Sequence, residues 1–134
     1  KEALVSTMVN SIRDKIAVLR KKLKDKQVKK VAYFIWKKPL MVAGKDTFID
    51  ELLKLNKFEN VFRESRYPET TLEELKVKNP DLILLSSEPF PFEEKHKNYF
   101  STLNAEIKLV DGEYFSWYGS RLVEAIDYFK TLRD

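Results

Sequence analysis

The sequence predicts an α/β fold, a three-layer sandwich with a mostly parallel sheet, preceded by a long amphipathic helix. Three observations carry this. Short, unbroken apolar runs at residues 31–36 and 82–85 have the make-up of strands buried on both faces. They alternate with segments of helical periodicity. The connections are short, as expected when helices cross over between parallel strands.

Leu4, Met8, Ile12, Ile16, Leu19 and Leu23 recur every three or four residues among Lys, Arg and Asp, which predicts one long amphipathic helix. At ~1.5 Å per residue it spans roughly 30 Å, long for the opening element of a small domain. The chain also begins inside this pattern, at Lys1-Glu2-Ala3-Leu4, so an upstream part of the protein, and any targeting segment in it, is expected.

Val31-Ala32-Tyr33-Phe34-Ile35-Trp36 is the first predicted strand and stops before Lys37-Lys38-Pro39. Residues 47–55 then give a helix with Phe48, Leu52 and Leu55 inward, capped by Asp46 or Thr47. A short strand is expected around Asn60-Val61-Phe62. Arg66-Tyr67-Pro68-Glu69 reads as an extended turn, because the residue before proline is pushed out of helical geometry.

The next helix has two possible capping boxes, Thr70 with Glu73 or Thr71 with Glu74, and must end by Asn79-Pro80. Residues 81–85 form a buried strand, and Glu88-Pro89-Phe90-Pro91-Phe92 a stiff aromatic loop. Residues 93–100 read as helical and 107–110 as the last strand, with a turn at Asp111-Gly112. Leu122, Ala125, Ile126 and Phe129 share one face of a closing helix over 121–132.

With 134 residues the chain suits one compact domain. Its apolar fraction of 43% suffices for a core, yet the longest apolar runs fall far short of the ~20 residues of a membrane helix. No direct membrane span is expected. The net charge is only +4, and the lysines concentrate in the first thirty residues, which suits a solvated helix face better than a nucleic-acid groove.

Several chemistries are excluded by what the chain lacks. There is no cysteine, so disulfides, thiolate metal sites and cysteine nucleophiles are ruled out. The three glycines, Gly44, Gly112 and Gly119, lie too far apart for a dinucleotide loop. Gly44-Lys45-Asp46-Thr47 resembles only the end of a phosphate loop, and Asp46 would repel phosphate. His96 is the single histidine; between Lys95 and Lys97 it reads as a solvated surface residue rather than a haem ligand. The adjacent pairs Glu73-Glu74 and Glu93-Glu94 point about 100° apart on their helices, so no acid and base converge. Neither catalytic residues nor a cofactor or metal is expected.

What remains is aromatic. Trp36, Tyr67, Phe90, Phe92, Tyr114, Phe115, Trp117 and Tyr118 fall where predicted strands end and loops begin. In open parallel sheets ligands bind beyond the carboxyl ends of the strands. A wall of aromatic side chains there suits a large, flat or bulky ligand, with Glu113, Ser116 and Arg121 available to orient it. The competing reading is that the same aromatics cover the sheet ends as a satellite core.

A series of motifs then occurs in order: Pro39 through Asn60-Val61-Phe62, Arg66-x-Pro68, Leu72-Glu73-Glu74-Leu75, Asn79-Pro80-Asp81, and Asp111-Gly112-Glu113 with Trp117-Tyr118-Gly119-Ser120-Arg121. Together they resemble the C-terminal half of the class III periplasmic binding proteins, the vitamin B12 and siderophore receptors of ABC importers. The match covers nearly the whole chain after Lys29. The resemblance implies that residues 1–29 are the helix bridging to an N-terminal lobe missing from this chain, and that 30–134 are the C-terminal ligand-binding lobe.

It also implies a non-catalytic receptor, periplasmic or a cell-surface lipoprotein, that clasps a corrinoid, siderophore or haem and docks on an ABC transporter permease. By position, Trp36, Tyr67 and the Glu113, Tyr114 and Trp117 loop correspond to ligand-contacting segments, and Glu73 to the acidic residue that meets arginines of the permease; Phe92 joins the expected ligand contacts from its own place after a predicted strand. An isolated lobe would have an uncovered cleft through which it could form a homodimer. Glu88-Pro89-Phe90-Pro91-Phe92 and Trp117-Tyr118-Gly119-Ser120-Arg121 depart from the vitamin B12 receptors, which leaves the ligand open. The alternative reading is a stand-alone flavodoxin-like protein-interaction or signalling domain whose aromatic rim binds protein.

Overall fold

A computed structural model describes residues 13, 14, 16–18, 20–22, 24, 25, 27–112, 128, 131 and 132. Six strands, β1 (Lys29–Trp36), β2 (Leu40–Val42), β3 (Phe58–Asn60), β4 (Glu69–Thr70), β5 (Leu82–Ser86) and β6 (Glu106–Val110), form one sheet. Helices α1 (Phe48–Leu55) and α2 (Leu72–Lys78) and a 3₁₀ segment (Glu94–Phe100) lie between them. The sheet order is β4-β2-β1-β5-β6, with β3 paired to β1. Strands β1, β3, β5 and β6 run parallel, and only the β1–β2 and β2–β4 pairings are antiparallel.

Both faces of the sheet are covered, which makes the three layers. Val31, Tyr33, Leu82, Leu84 and Val110 point to one side and pack with Ile49, Leu52 and Leu53 of α1. Ala32, Phe34, Ile83 and Leu85 point to the other and pack with Leu75 of α2, Phe62, Phe92 and Phe100. This is the alternation expected of strands buried on both sides, where period two sorts neighbours to opposite cores. The described residues of the first helix include Ile16, packed against the α1 side, and in the turn that follows the Lys24 carbonyl accepts from Lys57 Nζ at 3.1 Å. Of the closing helix, residues 128, 131 and 132 are described and helical, and Leu132 is buried on that same side.

Each helix starts where its side chains can satisfy the free amide groups of the first turn. Thr47 caps α1, its Oγ1 accepting from Asp50 N at 3.1 Å and donating to the Gly44 carbonyl at 2.8 Å. Thr71 caps α2, accepting from Glu74 N at 3.1 Å. The Glu74 carboxylate does not return to the Thr71 amide as in a full capping box; it accepts from Thr70 Oγ1 at 3.0 Å. Asn79 closes α2 in the left-handed region, φ 50°, immediately before Pro80.

Two expectations shift. Strand β3 lies at 58–60 rather than around 60–62, because Asn60 is drawn into a buried network: its amide donates to the Ala43 carbonyl at 2.8 Å and to Asp50 Oδ1 at 3.2 Å, while its Oδ1 accepts from Phe62 N at 3.0 Å. The segment after Pro68, read as a turn, forms the two-residue strand β4 by pairing Thr70 with Leu40 and Glu69 with Met41.

Candidate functional site

The carboxyl ends of β1 and β5 open on a cleft of about 660 Å³. Tyr33 and Ile35 of β1 and Ser86 of β5 form its floor, Phe48 and Ile49 at the start of α1 one wall, and Glu88 and Pro89 the opposite side, with Tyr67 and Gly112 completing it. It therefore stands where open α/β sheets place their ligands. Its lining mixes apolar and aromatic side chains, Ile35, Phe48, Ile49 and Tyr67, with polar groups from Asp46, Thr47, Ser86 and Glu88 that could orient a small molecule.

The segments around the cleft are fixed by backbone. Gly44 N donates to the Arg66 carbonyl at 2.6 Å, Lys45 N to Glu64 O at 2.9 Å, and Arg66 N to Lys45 O at 2.8 Å. A Cβ at position 44 would collide with the Glu64 carbonyl, so this close approach requires glycine. The pairing sets Asp46 and Arg66 at φ 63° and 64°, and Ser65 Oγ donates to Asp46 Oδ2 at 3.2 Å. On the far side Ser86 Oγ donates to the Glu88 carbonyl at 2.7 Å, and Gly112 N donates to Ser87 Oγ at 2.9 Å. Gly112 lies so close to Ser86 and Glu88 that a side chain there would displace both.

Tyr33 sits in the floor and is fully buried. Burial pushes its phenol well above 10, an effect that the neighbouring Ser86 side chain offsets only in part. It is a neutral group at physiological pH. The charged groups among the described lining residues are Asp46 and Glu88, both acidic.

The expected site residues separate. Tyr67 lines the cleft and is 45% exposed. Trp36 is also exposed, but it lies outside the cleft lining: a bulge in the β1–β2 ladder between Phe34 and Trp36 re-aims the end of β1. Its indole packs edge-on against Phe90 at 5.5 Å and donates to the Lys38 carbonyl at 3.0 Å. Phe92 is 4% exposed and belongs to the α2-side core, where it meets Phe90 at 4.8 Å. From there it supports the rim through Phe90. Glu113, Tyr114 and Trp117, with Ser116 and Arg121, lie outside the described residues. Glu73 is far from these groups in role: it is exposed on α2, and among the described residues it makes no hydrogen bond or ion pair.

His96 departs from the solvated position expected of it. It is half-buried, with its ring 5.3 Å from Phe90 and 5.6 Å from Phe92, and its Nδ1 accepts from Glu93 N at 2.8 Å. The three-residue turn of a 3₁₀ segment carries it inward between Lys95 and Lys97.

Sequence reasoning did not single out Tyr33, Phe48, Asp46 or Glu88 for the cleft. Tyr33 and Phe48 sit in runs that read as core, and Asp46 carried only a capping signal. The close pairing of residues 44–46 with 64–66, which turns Asp46 to the cleft, is a long-range contact that no local pattern announces.

No protein-family model and no curated protein sequence matches the chain. Solved structures do. The periplasmic vitamin B12 binding protein of Vibrio cholerae superposes with a TM-score of 0.74 at 20% identity, over 91% of this chain and 50% of that one. An ABC transporter substrate-binding protein of Listeria monocytogenes gives 0.83 at 20% identity over 95% and 55%, and the periplasmic haem binding protein of Vibrio cholerae 0.77 at 22% over 96% and 55%. The fold is thus that of these periplasmic binding proteins, as the resemblance implied, and the chain spans about half the length of each. No helix among the described residues is long and apolar enough to cross a membrane.

Proposed function

We propose that this chain is the C-terminal lobe of an extracytoplasmic substrate-binding component of an ABC importer. It receives a bulky, metal-chelated ligand, a corrinoid, siderophore or haem, between itself and an N-terminal lobe. The observation that carries the reading is the open cleft at the carboxyl ends of β1 and β5, with Tyr67, Phe48 and Pro89 on its walls. It belongs to a fold shared with binding proteins for vitamin B12, haem and ferric hydroxamate. The half-length coverage of those structures supports a second lobe closing over the ligand. Such a lobe has no reaction to catalyse; its chemistry is area burial, desolvation and orientation.

Glu73 is the docking carboxylate in this reading. With Thr71 as the cap and Glu74 turned to Thr70, Glu73 needs no partner in its own helix and is exposed, available to a cationic permease surface. The Glu113–Trp117 stretch would supply further ligand contacts, and the site of action is the periplasm or the outer face of a cell to which the receptor is lipid-anchored.

The test is isothermal titration of the full-length protein with cyanocobalamin, haemin and ferrichrome. One of them is expected to bind one-to-one with a Kd of about 1 μM or tighter. Tyr67→Ala should weaken that complex by about tenfold through loss of aromatic contact area. No binding of any of the three removes the reading.

A further inference from the structure

The charges on the cleft wall bear on which chelate it takes, given the receptor reading above on which this inference rests. Metal chelates differ in charge: haem carries propionates and catecholate chelates of ferric iron are anionic, whereas simple hydroxamate chelates are neutral or cationic. We infer that this cleft selects a neutral or cationic metal chelate over an anionic one, with Asp46 and Glu88 as the selecting groups.

The fold holds the Asp46 carboxylate and the backbone that carries Glu88. The backbone pairing of 44–46 with 64–66 and the hydroxyl of Ser65 fix Asp46. Ser86 Oγ fixes the Glu88 backbone from both sides, donating to its carbonyl at 2.7 Å and accepting from its amide at 3.3 Å, with Gly112 packed beneath. The two acids flank a cleft of mixed polar and apolar lining, and no basic residue is among the described lining groups. Lys45 and Arg66 are exposed neighbours in sequence outside that lining.

The amino end of α1 also opens here and by itself would favour an anion. That tendency is countered locally. Thr47 Oγ1 takes the Asp50 amide, and Asp46, Asp50 and Glu51 place acids before and within the first turn. Asp46 and Glu88 are both exposed, so an anionic chelate entering the cleft meets like charge at two points on its rim, which disfavours it relative to a neutral or cationic one. A cationic or hydrogen-bond-donating chelate meets two acceptors.

The experiment is a tryptophan-fluorescence titration of the full-length receptor with ferrioxamine B, which is cationic, ferrichrome, which is neutral, and two anionic probes, ferric enterobactin and haemin. Ferrioxamine B or ferrichrome is expected to bind at least about tenfold tighter than either anion. The double variant Asp46→Asn, Glu88→Gln should reduce the preference for ferrioxamine B over ferric enterobactin by about tenfold. Asparagine accepts the positive φ of position 46, and a thermal melt of the variant verifies folding. Tighter binding of an anionic probe by the native protein, or a preference unmoved in the folded double variant, overturns the selection while the receptor reading stands. Binding of none of the four overturns the selection, and the receptor reading falls with it only where cyanocobalamin also fails to bind.

Discussion

Asp46, Arg66 and Asn79 all adopt positive φ, for different reasons. Asn79 is legible in sequence, since asparagine before proline is a common way to end a helix, and it does so here. Asp46 tolerates the left-handed region through its short polar side chain. Arg66 has no such local advantage; it is held by the backbone bonds to Gly44 and Lys45, a cause visible only once the chain is folded. The same holds for Tyr33. Its position in an apolar run marks it as buried, but its place in the floor of the cleft depends on where β5 ends beside it. Its raised pKa has a consequence for stability. The unfolded chain ionises near pH 10 while the folded chain keeps the proton, so the contribution is present below pH 10 and is lost as pH rises past it. Urea unfolding at pH 8 and pH 11 should show a steeper loss in the native protein than in Tyr33→Phe, by up to about 1.4 kcal/mol per pH unit.

Among the elements, β1, β5, β6, α1 and α2 were legible because each carries its own pattern: unbroken apolar runs for β1 and β5, a short apolar segment ending at the Asp111-Gly112 turn for β6, and capped amphipathic segments for the helices. Strands β2 and β4 were not. Three and two residues long, they exist only by pairing with β1 and with each other, and Leu40-Met41-Val42 after Pro39 gives too short an alternation to read. The choice of cap on α2 was likewise open in sequence, because Thr70 and Thr71 both stand three residues before a glutamate. The structure assigns the cap to Thr71 and leaves Thr70 buried against the Glu74 carboxylate. Thr71→Ala should therefore cost about 1 kcal/mol in chemical denaturation. Glu73→Ala should change stability by less than about 0.5 kcal/mol, as a surface substitution without partners. In the proposed receptor it should nevertheless lower transport in cells while leaving ligand affinity intact; unaltered transport would remove Glu73 from the docking surface.

At the scale of the molecule, the sheet with a core on each face follows from strands whose alternate residues are both apolar, and this much of the fold was readable before any coordinates. That a cleft would open at the carboxyl ends of the parallel strands was readable too. Its membership was not. Of the aromatics expected there, Tyr67 lines the cleft, Trp36 is turned aside by a bulge, and Phe92 is withdrawn into the core. The acids on the wall came from long-range pairing rather than from motif. The central claim is that a ligand is gripped at this cleft, and hydrogen–deuterium exchange on the full-length protein, with and without a bound chelate, tests it most directly. The account predicts slowed exchange at residues 46–49, 66–67 and 86–89, with α2 unaffected. Ligand-induced protection that spares those three segments and falls instead on the Trp36–Phe90 side or on α2 would contradict it.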